Sequence, residues 1–125
     1  MGLISGMFGH ATDVDITELQ DDFGSLLIQD ESIITAYRLV RDLIIFTEHR
    51  LILVDKQGLT GRKSDYATIP YNSIIRFSME TAGFMDHDAE LRLWIRGEAE
   101  PLKKEFKKNQ SVSDIYRILS DAILT

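Results

Sequence analysis

Two hydrophobic periods divide the chain. Between residues 15 and 27, apolar residues recur at helical spacing: Ile16, Leu19, Phe23 and Leu26 or Leu27 form one stripe, while Asp21 and Asp22 fall on the opposite side. Asp15 and Glu18 stand in capping-box positions, and Val14 and Leu19 in the staple positions, so a helix is predicted to start at Asp15. Gly24 is expected to loosen its last turn. From Glu31 the period becomes two. Ile33, Thr35, Tyr37 and Leu39 alternate with Ile34, Ala36, Arg38 and Val40. Leu43 to Thr47 and Leu51 to Val54 are β-rich runs separated by Glu48-His49-Arg50, which predicts a hairpin.

Asp55-Lys56-Gln57-Gly58 breaks the pattern, and Gly58, Gly61, Arg62, Lys63, Ser64 and Asp65 read as an exposed loop. Tyr66 to Ile69 resumes as a strand, which Pro70 restricts to an edge or a bulge. Ile74 to Glu80 is a further strand, Gly83 to Asp88 a turn, and Leu102 to Lys108 a last, charged strand. In Glu90 to Arg96, Leu91, Leu93 and Ile95 share one face and Arg92, Trp94 and Arg96 the other. The chain ends in a second capped helix. Ser111 and Asp114 are its capping pair, and Val112, Ile115, Tyr116, Leu119, Ala122 and Ile123 its stripe. The prediction is a mainly β domain: about seven antiparallel strands as a small barrel or bent sandwich, a helix closing it at the C-terminus, and an extra helix at the N-terminus. Residues 1–125 read as one domain, with 1–27 a helical extension, 31–108 the strands and 111–124 the terminal helix.

Composition narrows the chemistry. A chain of 125 residues that is 44% hydrophobic supports a packed core without metal or disulfide staples. It has no cysteine, which excludes a thiol nucleophile, a disulfide framework and Cys-based zinc sites. A net charge of −6 without a basic tract argues against nucleic acid as partner. No apolar run approaches the length of a bilayer span, and the start lacks the basic region of a secretory signal. Gly6 stands where a myristoylation signal needs Ser or Thr. The chain therefore reads as soluble, unprocessed and cytoplasmic.

No catalytic signature emerges. Asp86-His87-Asp88 is the best metal candidate, but alternation along an extended segment lets only Asp86 and Asp88 converge, and a polar turn is the simpler reading. His10 and His49 have no partners in sequence and read as surface or turn histidines. Gly58-Leu59-Thr60-Gly61-Arg62-Lys63-Ser64 lacks phosphate-loop spacing, and no nucleophile elbow is present. No enzyme activity, metal or cofactor is expected. Two basic clusters remain: Arg62-Lys63, and Lys103, Lys104, Lys107 and Lys108 around Glu105 and Phe106. The second reads as an edge strand protected by lysines, or alternatively as a patch for an anionic ligand or lipid headgroup. At the N-terminus, Leu3, Ile4, Met7 and Phe8 share a helical face suited to packing on the domain or on a neighbouring subunit. Trp94 among arginines suits a subunit interface or an arginine-capped surface.

The segments MGLISGMFG, Tyr37 to Asp42, Phe46 to Gly61 (FTEHRLILVDKQGLTG), Ile69 to Phe77 (IPYNSIIRF), Glu80 to Gly83, Asp88 to Trp94 and Phe106 to Lys108 resemble the small single-domain bacterial pleckstrin-homology (PH) domain family. The resemblance spans nearly the whole chain. It implies seven strands in two near-orthogonal sheets, a C-terminal capping helix and homo-oligomeric rings of five or more subunits, with no known reaction. PH domains that bind phosphoinositides use clustered Lys and Arg between the first two strands; that junction here is Val40-Arg41-Asp42, with one basic residue. The expectation is a non-enzymatic, self-assembling interaction module with Leu3, Ile4, Met7, Phe8 and Trp94 at its interface and a further protein as partner. The alternative is a peripheral membrane or anionic-ligand binder acting through Arg62, Lys63, Lys103, Lys104, Lys107 and Lys108.

Overall fold

A computed structural model describes residues 15–39, 42–57, 63–81, 89–107 and 112–125. Contacts group these into two units, one ending at Ile69 and one beginning at Pro70. The first holds helix α1 (Ile16–Phe23) and strands β1 (Ile33–Arg38), β2 (Asp42–Thr47), β3 (Arg50–Gln57) and β4 (Lys63–Pro70). The strands form one sheet in the order β1-β2-β3-β4. Short links between successive strands dictate antiparallel neighbours, and both resolved pairs, β1·β2 and β2·β3, are antiparallel.

α1 starts where the capping signature placed it. The Asp15 carboxylate accepts hydrogen bonds from the Thr17 and Glu18 amides at 2.9 and 3.3 Å. After Phe23 the chain tightens into a 3-10 turn at Gly24–Leu26, at the glycine expected to loosen the helix. An eight-residue helix has little stability of its own and depends on docking. α1 docks through Leu19, with Ile16, Phe23 and Leu27, onto Ile33, Ala36, Leu43, Ile45, Ile52 and Val54. Leu27 rather than Leu26 completes the stripe. Asp15→Ala is expected to lower stability by about 1 kcal/mol in urea denaturation, by leaving the first-turn amides without their acceptor.

Strict alternation fails at one place in β1. The register shifts between Ile33 and Thr35, so Ile34 is an inserted residue and Ile33 joins the Ala36 face under α1. Thr35 and Tyr37 share the other face with Ile44, Phe46, Leu51 and Leu53, all buried. The two central strands are thus apolar on both faces, which explains their nearly continuous hydrophobic sequence. Two strand limits also differ from expectation. β3 continues through Asp55, Lys56 and Gln57, and β4 already starts at Lys63, so Lys63, Ser64 and Asp65 belong to a strand, not a loop. Polar residues at strand ends leave no apolar alternation to read. β4 is the last strand of its sheet and ends on Pro70, where a missing N–H is tolerated.

The second unit holds β5 (Ile74–Thr81), β6 (Ala89–Ile95), β7 (Leu102–Phe106) and helix α2 (Val112–Leu124). The strands pair antiparallel in sequence order. β6 to β7 turns through Gly97, whose φ of +88° suits a residue without a Cβ. One sheet face carries Phe77, Leu91, Leu93 and Phe106, and α2 packs there, burying Ile115 and Leu119 and setting Tyr116 against Phe77 at 5.2 Å. The described residues therefore form two antiparallel sheets with a helix at each end of the chain.

Candidate functional site

Among the described residues, two of the four edge strands, β4 and β5, carry the most exposed large apolar side chains of the strands. On β4, Tyr66 is 52% exposed, with the Phe23 ring 6.1 Å away. On β5, the register shifts between Ile74 and Arg76. The inserted Ile75 points away from the buried Ile74 and stands 62% exposed. An edge strand with unpaired backbone groups and an exposed apolar side chain is a template for pairing with another chain. Leu26 and Ile28, after α1, are exposed as well.

The segment leading into β1 is held by a buried charge pair. Residues 28–31 make a turn in which the Glu31 amide donates to the Ile28 carbonyl at 3.2 Å and Asp30 takes a positive φ of 65°. The Glu31 carboxylate is fully buried and receives both arms of Arg50: Nε to Oε2 at 2.9 Å and a terminal nitrogen to Oε1 at 2.8 Å. The Thr47 hydroxyl donates to the same carboxylate at 2.6 Å, and the Ile28 amide at 3.0 Å. Arg50 also donates to the Leu26 carbonyl at 2.9 Å and to the Thr68 hydroxyl at 3.1 Å. These donors, Arg50 first, hold the Glu31 carboxyl down at about 2 against the opposing effect of burial. Beside this pair, Glu48 accepts from the Ser32 amide and hydroxyl at 2.8 and 2.6 Å. Burial pushes the Glu48 carboxyl up, but the Ser32 bonds outweigh it and hold it below the ordinary value. The corner thereby fixes the 3-10 turn that carries Leu26 and ties it to β4.

On the second sheet, the face opposite α2 carries Trp94. The Arg76 guanidinium lies 4.3 Å from its ring centroid, in cation–π contact. The capping arginine is Arg76, from the paired strand, while Arg92 is bound to Glu80 and, at 2.9 Å, to Glu90. Trp94 is half-buried and Arg96 exposed beyond the end of β6.

The other sequence candidates divide between described and undescribed residues. Leu3, Ile4, Met7, Phe8, His10, Arg62, Asp86, His87, Asp88 and Lys108 lie outside the described residues, as do Val40, Arg41 and Ser111. Lys63 opens β4, and His49 is an exposed turn residue. Lys103 and Lys104 point to opposite faces of β7: Lys103 stands beside Arg92, and Lys104, half-buried, beside Leu91. Lys107 is exposed just past β7. Among the described residues, no group of three or more His, Asp or Glu is placed to hold a metal ion, and no helix is long and apolar enough to cross a membrane. Sequence reading missed Tyr66 and Ile75 as exposed edge residues, because an apolar residue in a β-rich run looks like core until the register is known.

Comparison with known proteins adds four similarities. A family model described as "Bacterial PH domain" matches residues 2–123. The Uncharacterized protein YjqA of Bacillus subtilis (strain 168) is 48% identical over 121 residues, covering 96% of this chain and 97% of its own length. The crystal structure of a pleckstrin-homology domain from Shewanella amazonensis SB2B superimposes with a TM-score of 0.81 at 44% identity, covering 98% of this chain and 99% of its own. A protein with a pleckstrin-homology domain from Shewanella loihica PV-4 gives the same TM-score and identity over 88% of this chain and 94% of its own.

Proposed function

Since the chain belongs to the bacterial PH domain family, we propose that it is a non-enzymatic, cytoplasmic interaction module that self-assembles into homo-oligomeric rings and presents them to a protein partner. The observation that carries this reading is the pair of edge strands with exposed apolar side chains, Tyr66 on β4 and Ile75 on β5. The edges differ in sequence, so a contact that joins one edge of a subunit to a different edge of the next is heterologous. Such contacts close into rings when the rotation per subunit divides a full turn. Pairing would satisfy the edge backbone groups and bury both side chains. In this reading Leu3, Ile4, Met7, Phe8 and Trp94 add apolar area to the assembly. The alternative, binding of an anionic ligand or headgroup through Arg62, Lys63, Lys103, Lys104, Lys107 and Lys108, draws less support, because Lys103 and Lys104 diverge and Glu105 shares the face of Lys103.

Native mass spectrometry at low micromolar concentration tests the reading. A closed oligomer of one size is expected for the parent protein, with a collapse to smaller species in Ile75→Lys and in Tyr66→Lys. A parent protein that stays monomeric up to high micromolar concentration would overturn it. Liposome co-sedimentation discriminates the alternative: salt-sensitive binding to anionic vesicles would favour it.

A further inference from the structure

The face of the β5–β6–β7 sheet opposite α2 is banded by charge. Across the strands, one row holds Arg76 and Trp94, the next Ser78, Arg92 and Lys103, and the next Glu80, Glu90 and Glu105. Successive rows are two residues apart along each strand, or about 7 Å. One end of the face is basic and the other is all carboxylate. Three basic and three acidic side chains cancel, so the face is neutral on a chain of net charge −6. α2 packs on the opposite face. Arg76, Glu80, Lys103 and Glu105 are exposed, and Glu90, Arg92 and Trp94 are half-buried.

Part of this charge is already used within the sheet. Arg92 bridges Glu80 and Glu90, and Arg76 lies on Trp94. Lys103 and Glu105 are different. They stand two residues apart on β7, on the same side. Among the described residues neither has an ion pair.

We propose that this face is a two-fold contact for a second copy of the same chain. The axis runs across the strands, between the Arg92 row and the Glu90 row. Rotation about it brings a second sheet face to face with the first, its strands reversed. The basic row of each copy then lies over the carboxylate row of the other. Lys103 meets Glu105 of the second copy, Arg92 meets Glu90, and symmetry makes each pair occur twice. A second copy is the occupant because the band pattern complements itself under this rotation. At long range two chains of charge −6 repel, and a neutral face adds nothing to that repulsion. Trp94 and the aliphatic stems of Arg76, Arg92 and Lys103 supply the apolar area of the contact.

The contact is independent of ring formation. Edge pairing joins unlike surfaces around a ring, whereas this face joins like surfaces and would link two rings or, without rings, make a dimer. Native mass spectrometry of Lys103→Glu, Glu105→Lys and their 1:1 mixture tests it. Each variant alone places like charges opposite each other, and the mixture restores opposite charges at both symmetric positions. The expected result is an even-numbered assembly for the parent protein. Each single variant should give half that mass, with a dissociation constant raised at least about tenfold. The mixture should return to the parent mass. Circular-dichroism melts overlaying the parent would confirm intact folding in both variants. Ile75→Lys serves as the separate probe of the ring: it should leave dimers if both contacts exist. An assembly of unchanged mass in Lys103→Glu would overturn the proposal while leaving the ring reading intact. Failure of the mixture to restore the parent mass would also overturn it, and so would a parent protein that is monomeric.

Discussion

Arg50→Ala lowers the unfolding free energy by about 3–5 kcal/mol. The size of the effect comes from what the substitution leaves behind. The Glu31 side chain has no solvent exposure, whereas Arg50 retains 19%. Removing the arginine strands a carboxylate in the interior with only the Thr47 hydroxyl and the Ile28 amide as donors. The Leu26 carbonyl and the Thr68 hydroxyl lose a donor in the same step. Glu31→Gln is milder, since its amide retains an oxygen for one arm of Arg50. Guanidinium titration of both variants against the parent checks the order, with Arg50→Ala the weaker fold. A loss below about 1 kcal/mol in Arg50→Ala would mean that the pair is effectively solvated.

The same pair sets an acid limit. Glu31 is depressed in the folded protein from 4.5 to about 2. A depressed carboxylate contributes stability that is complete above its unfolded value and is lost as pH falls through its folded value. The window therefore runs from about pH 5 down to about pH 2, and the depression corresponds to about 3 kcal/mol. Denaturation midpoints of the parent should fall steeply across this window. In Glu31→Gln, which has no proton to gain at this position, the fall should be clearly shallower.

These effects bear on how much of the molecule its sequence discloses. The helix start at Asp15, the hairpin between β2 and β3 and the alternation of Leu91, Trp94 and their neighbours are legible because each rests on local chemistry: a cap, a tight turn, a period of two. The bulges at Ile34 and Ile75 are not. Isoleucine suits either side of a strand, so inserting one leaves no trace in the pattern, although it moves Ile33 under α1 and turns Ile75 outward. The Glu31–Arg50 pair joins residues nineteen apart, and in sequence each reads as an ordinary polar residue at a strand end. The charged ends of β3 and β4 read as loop for a related reason: their polar residues show no apolar alternation, although they belong to the strands. The surfaces proposed for assembly lie between these limits. Trp94 was visible as an outward aromatic, but the charge bands around it exist only once register aligns Arg76, Ser78 and Glu80 with Trp94, Arg92 and Glu90.

Phe46→Ala and Tyr66→Lys should separate folding from assembly. Phe46 is completely buried in β2 and meets Tyr37 edge to face at 5.8 Å. Its truncation removes a large apolar side chain and leaves a cavity among β-branched and leucine neighbours that relax little, for a loss of about 3–5 kcal/mol. Tyr66 is half-exposed on an edge, and lysine there keeps an aliphatic stem against Phe23, so its effect on stability stays below about 1 kcal/mol. The order reverses for assembly. At temperatures where it remains folded, Phe46→Ala presents the same edges as the parent and should assemble like it. Tyr66→Lys places an ammonium at the pairing edge, one of the devices by which edge strands are kept apart, and should abolish or sharply weaken the oligomer. Urea denaturation read beside native mass spectrometry tests both halves. If the two variants lose assembly in proportion to their loss of stability, the edge has no role of its own and oligomers simply report the fraction folded. A stable Tyr66→Lys that has lost the ring, beside a destabilised but assembling Phe46→Ala, would place the ring contact on the β4 edge.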